Sequence, residues 1–171
     1  KNAVALGTGT RAMGLSSTAV GAGAQATVYG AVALGTGTRA TGLSSTAVGD
    51  GAQATANGAV ALGQSTESAG NSVAAGYNAK ARSNNTVAIG VASVANGSSS
   101  FAASGGSTAS GKDGQIAIGW SSTNGIGAVA IGGTSDTASG RDTRATGTSA
   151  VALGVGSAAN GSNAFVASGG S

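Results

Sequence analysis

Several residue types that carry chemistry in other proteins are missing from this sequence. It contains no cysteine, proline or histidine, and charged and aromatic residues make up 8 % and 3 % of its 171 positions. The absence of cysteine excludes disulfides and thiolate metal sites. The absence of histidine removes the commonest acid-base and metal-ligating side chain, and the five carboxylates form no obvious pair. We therefore predict that the chain is not an enzyme and holds no cofactor or metal.

Long apolar runs and clusters of charge are missing as well. No segment approaches the ~20 apolar residues of a membrane span, and no signal peptide is recognisable. The eight basic and five acidic residues are scattered and give a net charge of +3, which argues against nucleic acid as a partner. Lys1 stands almost in mid-repeat, so we expect the chain to be a fragment of a longer protein.

Glycine and small apolar residues dominate what is present. The 33 glycines disfavour helix, because each costs roughly 1 kcal/mol relative to alanine. The segment Ala-Val-Ala-Leu-Gly at 3–7 returns at 31–35 and, in variant form, along the whole chain. The residue that ends it recurs every 14 positions at first and then at spacings of 13 to 22, which defines twelve units. These marker positions are Gly7, Gly21, Gly35, Gly49, Gly63, Gly76, Gly90, Ser104, Gly119, Gly132, Gly154 and Ser168.

Each unit has the pattern of one coil of a solenoid. The alternation in 3–7 has period two, which predicts a strand, and a second short segment such as 10–14 or 24–28 follows it before a Gly or Asn-Gly turn. Two strands and two turns within one unit make one flattened coil. Residues 3–30 also match 31–58 at 24 of 28 positions, which indicates duplicated blocks of coils. The predicted fold class is an all-β parallel β-roll solenoid that forms a single domain over 1–171.

The two faces of the first strand are predicted to have different roles. A thin coil has room for Ala, Gly and Ser, so we place the central alanines of the strands inside: Ala5, Ala33, Ala61, Ala88, Ala117, Ala130 and Ala152. The branched residues then form an apolar stripe outside, where copies of the chain would pack together. Phe101 and Phe165 take the Val position and are interpreted as a thicker core at those levels. The reverse assignment, with branched residues inside, stays open. The predicted interface residues are Val4, Leu6, Val32, Leu34, Val60, Leu62, Val87, Ile89, Phe101, Val129, Ile131, Val151, Leu153 and Phe165.

The hexamers Asn-Thr-Val-Ala-Ile-Gly at 85–90 and Asn-Ser-Val-Ala-Ala-Gly at 71–76 resemble the repeat of trimeric autotransporter adhesin heads (YadA-like heads). The resemblance implies a left-handed β-roll, a homotrimer, and display on the outer membrane of a Gram-negative bacterium as a virulence factor. It further implies attachment to host cells or to extracellular matrix proteins such as collagen, fibronectin or laminin. Departures are Ser104 and Ser168 at the marker position and an insertion near 133–142. By this comparison the fragment holds no signal peptide, neck, stalk or membrane anchor.

Ligand contacts are sought among exposed basic and aromatic residues, which are frequent at binding hot spots. Arg11 and Arg39 occupy equivalent positions two coils apart, and Tyr77 and Trp120 each follow a marker glycine in a turn. The insertion near 133–142 is a candidate protruding loop. For each residue the alternative is a solvated position without a role. The candidate ligand-binding residues are Arg11, Arg39, Tyr77, Lys80, Arg82, Trp120 and Arg141.

Other functions are weighed against the adhesin. An ice-binding solenoid is suggested by Thr8 and Thr10, but ice binding needs a threonine rank on every coil, and Ala22 and Asp50 interrupt it. A sugar acyltransferase of the left-handed hexapeptide type has a period of six and uses His, and this chain has neither. A structural spacer within a surface fibre stays open as an alternative.

Overall fold

The structure is a computed structural model and describes residues 2–133 and 142–168. Within these residues the chain forms two parallel sheets whose strands alternate along the sequence. A strand of the first sheet, a turn, a shorter strand of the second sheet and another turn complete one coil, which brings Val4 beside Thr18 of the next coil. The fold is thus an all-β parallel β-solenoid, which confirms the fold class predicted from the periodicity.

The described residues contain twelve strands in the first sheet and eleven in the second, or about eleven complete turns. The twelve sequence units correspond to the twelve strands of the first sheet. These are β1 (Val4–Leu6), β3 (Thr18–Val20), β5 (Val32–Leu34), β7 (Thr46–Val48), β9 (Val60–Leu62), β11 (Val73–Ala75), β13 (Val87–Ile89), β15 (Phe101–Ala103), β17 (Ile116–Ile118), β19 (Val129–Ile131), β21 (Val151–Leu153) and β23 (Phe165–Ala167). The second sheet contains β2 (Arg11–Ala12), β4 (Gln25–Ala26), β6 (Arg39–Ala40), β8 (Gln53–Ala54), β10 (Glu67–Ser68), β12 (Lys80–Ala81), β14 (Val94–Ala95), β16 (Thr108–Ala109), β18 (Ser121–Thr123), β20 (Thr143–Ala145) and β22 (Ala158–Ala159).

Strand register is preserved where the coil length changes. Phe101 pairs with Ile116 and Val129 pairs with Val151, although both coils are longer than the usual repeat. A slip of one residue would turn every later side chain to the opposite face, so the extra residues must be taken up in turns. The order of residues around each coil is therefore constant along the rod.

The interior of most coils is filled by four small side chains. In the coil that begins at Ala31, all four are fully buried, and Thr38 provides the single hydroxyl. In the preceding coil a serine, Ser17, replaces Ala31, and an alanine, Ala24, replaces Thr38. In the first six coils the hydroxyl and the methyl group thus change sides from one coil to the next at nearly constant volume, which is consistent with a sequence duplication that spans two coils. The four inward residues of the coil are Ala31, Ala33, Thr38 and Ala40.

Most of the buried hydroxyls in the described residues donate to backbone carbonyls, and Ser100 and Thr123 are the exceptions. Thr38 Oγ1 donates to the Gly35 carbonyl at 2.9 Å, and Ser45 Oγ donates to the Gly42 carbonyl at 2.7 Å. Each bond links a side chain to the third residue before it and closes a turn, and the Gly42 carbonyl also accepts the Ser45 N–H. The interior is therefore broader in composition than the Ala, Gly and Ser predicted, because threonine also finds a partner there.

One interior side chain is much larger than the rest. Gln115 is fully buried and its Nε2 donates to the Gly125 carbonyl at 2.9 Å. It lies in the lengthened coil between Phe101 and Ile116, where the long side chain fills the wider turn. Among the central alanines placed inside by the sequence, Ala5 is exposed in the first described coil, and the other six are fully buried.

The marker glycines pack coil against coil. Gly35 has a φ of 127°, and a Cβ there would lie 2.8 Å from the Gly49 carbonyl oxygen. Backbone lies directly above the position, so no side chain can move aside for the added carbon. A residue with a side chain at this position needs a different backbone conformation. Ser104, which occupies the same position in its coil, has a φ of 80°.

The structure decides between the two face assignments. The central alanines point into the coil, and the branched residues of the first sheet point out of it, as in Ala33 at 0 % exposure beside the half-buried Val32 and Leu34. The interpretation of the phenylalanines as core is wrong. Phe101 and Phe165 lie in the outward row with Val151, and Phe165 is 68 % exposed, because a coil lined with alanine has no room for an aromatic ring.

Candidate functional site

The outer face of the first sheet is apolar along the described rod. Each strand turns two side chains outward, and the polar members of the two rows in the described strands are Thr18 and Thr46. Leu6 is 66 % exposed and Ile89 is 44 % exposed. We call this surface the apolar face. Its first row is Val4, Thr18, Val32, Thr46, Val60, Val73, Val87, Phe101, Ile116, Val129, Val151 and Phe165, and its second row is Leu6, Val20, Leu34, Val48, Leu62, Ala75, Ile89, Ala103, Ile118, Ile131, Leu153 and Ala167.

The structure brings all fourteen predicted interface residues onto the apolar face. Sequence reasoning missed Val20, Val48, Val73, Ile116 and Ile118, which lie in the same rows. The signal was available, since each stands one or three positions before a marker. The face is consequently more continuous than the sequence list suggested.

A second exposed apolar group lies on the turn beside the first row. Leu15, Tyr29 and Leu43 occupy the same turn position in three successive coils, since Gly30 N–H donates to the Leu15 carbonyl and Ser44 N–H to the Tyr29 carbonyl, each at 2.9 Å. The three side chains are 52 %, 59 % and 49 % exposed. Sequence reasoning missed this group because each residue in isolation is an ordinary turn residue. It widens the apolar surface over the first three coils.

The outer face of the second sheet is polar at its N-terminal end. One outward row begins Arg11, Gln25, Arg39 and Gln53, with consecutive residues paired in register. We call these four residues the Arg-Gln row. Strand spacing places the Cα atoms of Arg11 and Arg39 about 9.6 Å apart. Both arginines are exposed, and neither forms an ion pair with any carboxylate in the described part of the chain.

Lys80 and Arg82 have a carboxylate partner that the sequence did not reveal. Glu67 lies in the neighbouring coil, with Oε1 at 3.7 Å from Lys80 Nζ and Oε2 at 3.0 Å from Arg82 Nε. These ion pairs reduce the charge available to a ligand. Arg144 is similarly placed 3.7 Å from Asp142. Among the candidate cations in the described residues, Arg11 and Arg39 are the two that form no ion pair with a described carboxylate.

The two aromatic candidates share one edge of the rod. Ala92 N–H donates to the Tyr77 carbonyl at 2.9 Å and Gly106 N–H donates to the Val91 carbonyl at 3.0 Å, which stacks the first turns of successive coils. Tyr77 and Val91 are exposed. Trp120 lies in the turn that follows the one containing Gly106, and it is half-buried.

The insertion lies in the first turn of its coil. Ser121 pairs with Thr143, so the additional residues fall between Gly132 and Thr143. Residues 134–141, and with them the candidate Arg141, lie outside the described residues.

The threonine rank needed for ice binding is interrupted in the folded coil. Gly23 N–H donates to the Thr8 carbonyl, Gly37 N–H to the Ala22 carbonyl and Gly51 N–H to the Thr36 carbonyl. Threonine thus alternates with alanine on this turn, and Asp50 follows in the next coil. A flat hydroxyl array on every coil is therefore not formed on this edge of the described rod.

Metal-binding clusters and membrane helices are both missing from the described residues. No group of three or more His, Cys, Asp or Glu side chains there is arranged to hold a metal ion. No helix in the described part of the chain is long and apolar enough to cross a membrane.

The fold and its surfaces define the class of protein: a parallel β-solenoid with an Ala-lined interior and an apolar outer face. Comparison with protein families matches residues 12–38, 40–66, 68–91 and 145–165, more than half of the chain, to the YadA head domain repeat. The chain belongs to the YadA head family, the heads of trimeric autotransporter adhesins. Comparison with curated proteins finds no match.

Family membership carries general properties to the chain. It identifies an adhesin-type head domain and implies a surface-exposed part of a trimeric autotransporter. Heads of this family generally form homotrimers and bind host surfaces, and the family and fold are typically non-enzymatic.

Proposed function

We propose that this chain forms the head of a homotrimeric bacterial adhesin that attaches to host cells or extracellular matrix proteins through repeated weak contacts. In this proposal three left-handed rods pack their apolar faces together about one axis. The outer membrane anchor of a Gram-negative bacterium holds the fibre at the cell surface. The second sheets then face outward and present the Arg-Gln row three times.

The observation that carries the proposal is the apolar face. Twelve strands at about 4.8 Å give a face roughly 53 Å long, with two outward apolar rows interrupted by Thr18 and Thr46. Contiguous exposed apolar patches of this extent mark association sites in soluble proteins. An interior of alanine, serine and threonine buries little apolar area per residue, so burial between chains is the natural source of the missing stability.

The polar outer face supports attachment by many weak contacts. The second sheet has few exposed cations, so each contact with a ligand is expected to be weak. The proposal therefore requires many such contacts and no deep pocket. Three copies of Arg11 and Arg39 on one rigid trimer raise the effective concentration of each contact for a repetitive ligand. Guanidinium groups bind carboxylates and sulfates in bidentate geometry, which suits acidic patches on matrix proteins.

Oligomeric state is the first test. Multi-angle light scattering of the purified fragment at micromolar concentration is expected to give three times the 15.5 kDa chain mass. A compact, folded monomer with the apolar face in water would contradict the packing argument.

Matrix binding is the second test. Immobilised collagen, fibronectin and laminin are probed with the trimer by surface plasmon resonance. Arg11→Ala with Arg39→Ala is expected to weaken binding at least tenfold, because six guanidinium contacts per trimer are lost. The matched control is Gln25→Ala with Gln53→Ala, which removes the alternate members of the same row and should change binding much less.

The same experiment separates attachment from a spacer role. A folded trimer that binds none of the three matrix proteins, nor cultured host cells, would favour a structural spacer within a surface fibre. Binding that is unchanged in the arginine double variant would retain the adhesin and move its contact surface elsewhere.

A further inference from the structure

Trp120 lies in a built recess on the first-turn edge of the rod. It is the single tryptophan of the chain, and its six-membered ring rests on the preceding coil at Gly106. A Cβ at Gly106 would approach two ring carbons at 2.7 Å, so the indole lies directly against this glycine. The ring is thereby held in place on one side while the residue stays half-exposed.

A cleft opens beside the indole. Its volume is about 200 Å³, below the roughly 300 Å³ at which pockets for drug-sized ligands begin. Its polar groups are hydroxyls and the carboxylate of Asp142, whose Oδ2 lies 3.7 Å from Arg144 Nη2. The lining residues are Gly106, Thr108, Trp120, Ser121, Ser122 and Asp142.

We propose that this cleft binds one ring of a saccharide. A pyranose has an apolar C–H face and a rim of hydroxyl groups. The indole offers a fixed flat surface for the C–H face. The Asp142 carboxylate accepts charge-assisted hydrogen bonds from sugar hydroxyls, and Thr108 and Ser122 can both donate and accept. The hydroxyl lining disfavours a purely apolar ligand.

The cleft stays accessible in the assembly proposed above. Thr108 and Ser122 pair in register on the outer row of the second sheet, which is opposite the apolar face. The site is also separate from the Arg-Gln row, because Thr108 lies five coils along the rod from Arg39. Saccharide binding adds a ligand class to the attachment role and can fail independently of it.

The single tryptophan makes the site directly observable. Intrinsic fluorescence of the purified fragment is titrated with methyl β-D-galactopyranoside, methyl α-D-mannopyranoside and N-acetyl-D-glucosamine up to 100 mM. At least one probe is expected to produce a saturable shift in Trp120 emission with a dissociation constant in the millimolar range, as one sugar ring allows. No saturable response to any of the three, with the protein folded by circular dichroism, would overturn the proposal.

Variants locate the binding. By saturation-transfer NMR, Trp120→Ala should abolish the signal of the bound sugar, and Asp142→Asn should weaken binding about tenfold. The control Val91→Ala removes an exposed apolar side chain from the same edge and should leave binding unchanged. Equal binding by the wild type and Trp120→Ala would refute the assignment. Matrix binding that persists in Trp120→Ala would keep the adhesin proposal intact.

Discussion

The packing of coil on coil can be tested with two glycines of one turn. Gly35 and Gly37 both have positive φ, 127° and 63°. A Cβ at Gly35 would lie 2.8 Å from the Gly49 carbonyl oxygen, whereas a Cβ at Gly37 meets nothing within 4 Å. The pair therefore separates backbone strain from the close approach of neighbouring coils, at two positions in the same turn.

The two substitutions are expected to differ in destabilisation, because only the Cβ at residue 35 would clash with the neighbouring coil. Gly37→Ala places alanine in the left-handed region, where Ala92 already has a φ of 56°, and strain of about 1 kcal/mol is partly offset by the stiffer unfolded chain. Gly35→Ala adds strain of about 1–3 kcal/mol and a coil shift of about 0.6 Å to reach ordinary contact at 3.4 Å, with an overpacking cost of about 1–3 kcal/mol. We expect total destabilisation of about 2–6 kcal/mol for Gly35→Ala and at most about 1 kcal/mol for Gly37→Ala.

Denaturant unfolding followed by circular dichroism measures the overall effect, and hydrogen exchange with mass spectrometry measures the local one. The second readout is needed because solenoids open coil by coil. Gly35→Ala should accelerate exchange in the coils on either side of residue 35. Equal destabilisation by the two variants would refute the reasoning, since strain alone would then account for both.

Two further predictions concern the apolar face and the buried hydroxyls. Val60→Lys should dissociate the trimer to monomers at micromolar concentration by light scattering, because it buries unpaired charge, while Gln53→Lys on the opposite face should leave the mass unchanged; a trimeric Val60→Lys would contradict the proposed assembly. Ser72→Ala should cost about 1–3 kcal/mol in denaturant unfolding, because Ser72 Oγ accepts the buried Thr86 N–H at 3.0 Å and would leave it unpaired. Ser45→Ala is its control and should cost under about 1 kcal/mol, since the Ser45 N–H still donates to the Gly42 carbonyl and alanine fills the equivalent site at Ala31; equal losses in the two variants would argue against the orphaned donor.

The sequence alone determined the coil and which residues share a face of the strand. An even period keeps the parity of every position from coil to coil, so the marker glycines and the period-two pattern put Ala33 on one face and Leu34 on the other, and the structure decided that the alanine face is the inner one. The family followed from the same repeat. These features are local or strictly periodic, and they can be read without knowing which turn takes up an irregular spacing.

Only the tertiary structure decided which irregular residues become neighbours. Glu67 forms ion pairs with Lys80 and Arg82 across coils of unequal length. Trp120 contacts Gly106 because the turn between Gly119 and Ser122 is one residue shorter than the corresponding turn of the preceding coil. Such contacts depend on how far each turn extends and in which direction, and side-chain periodicity carries no information about turns. The cleft beside Trp120 is set by these turns, so its lining could not be found from the repeat that defined the fold.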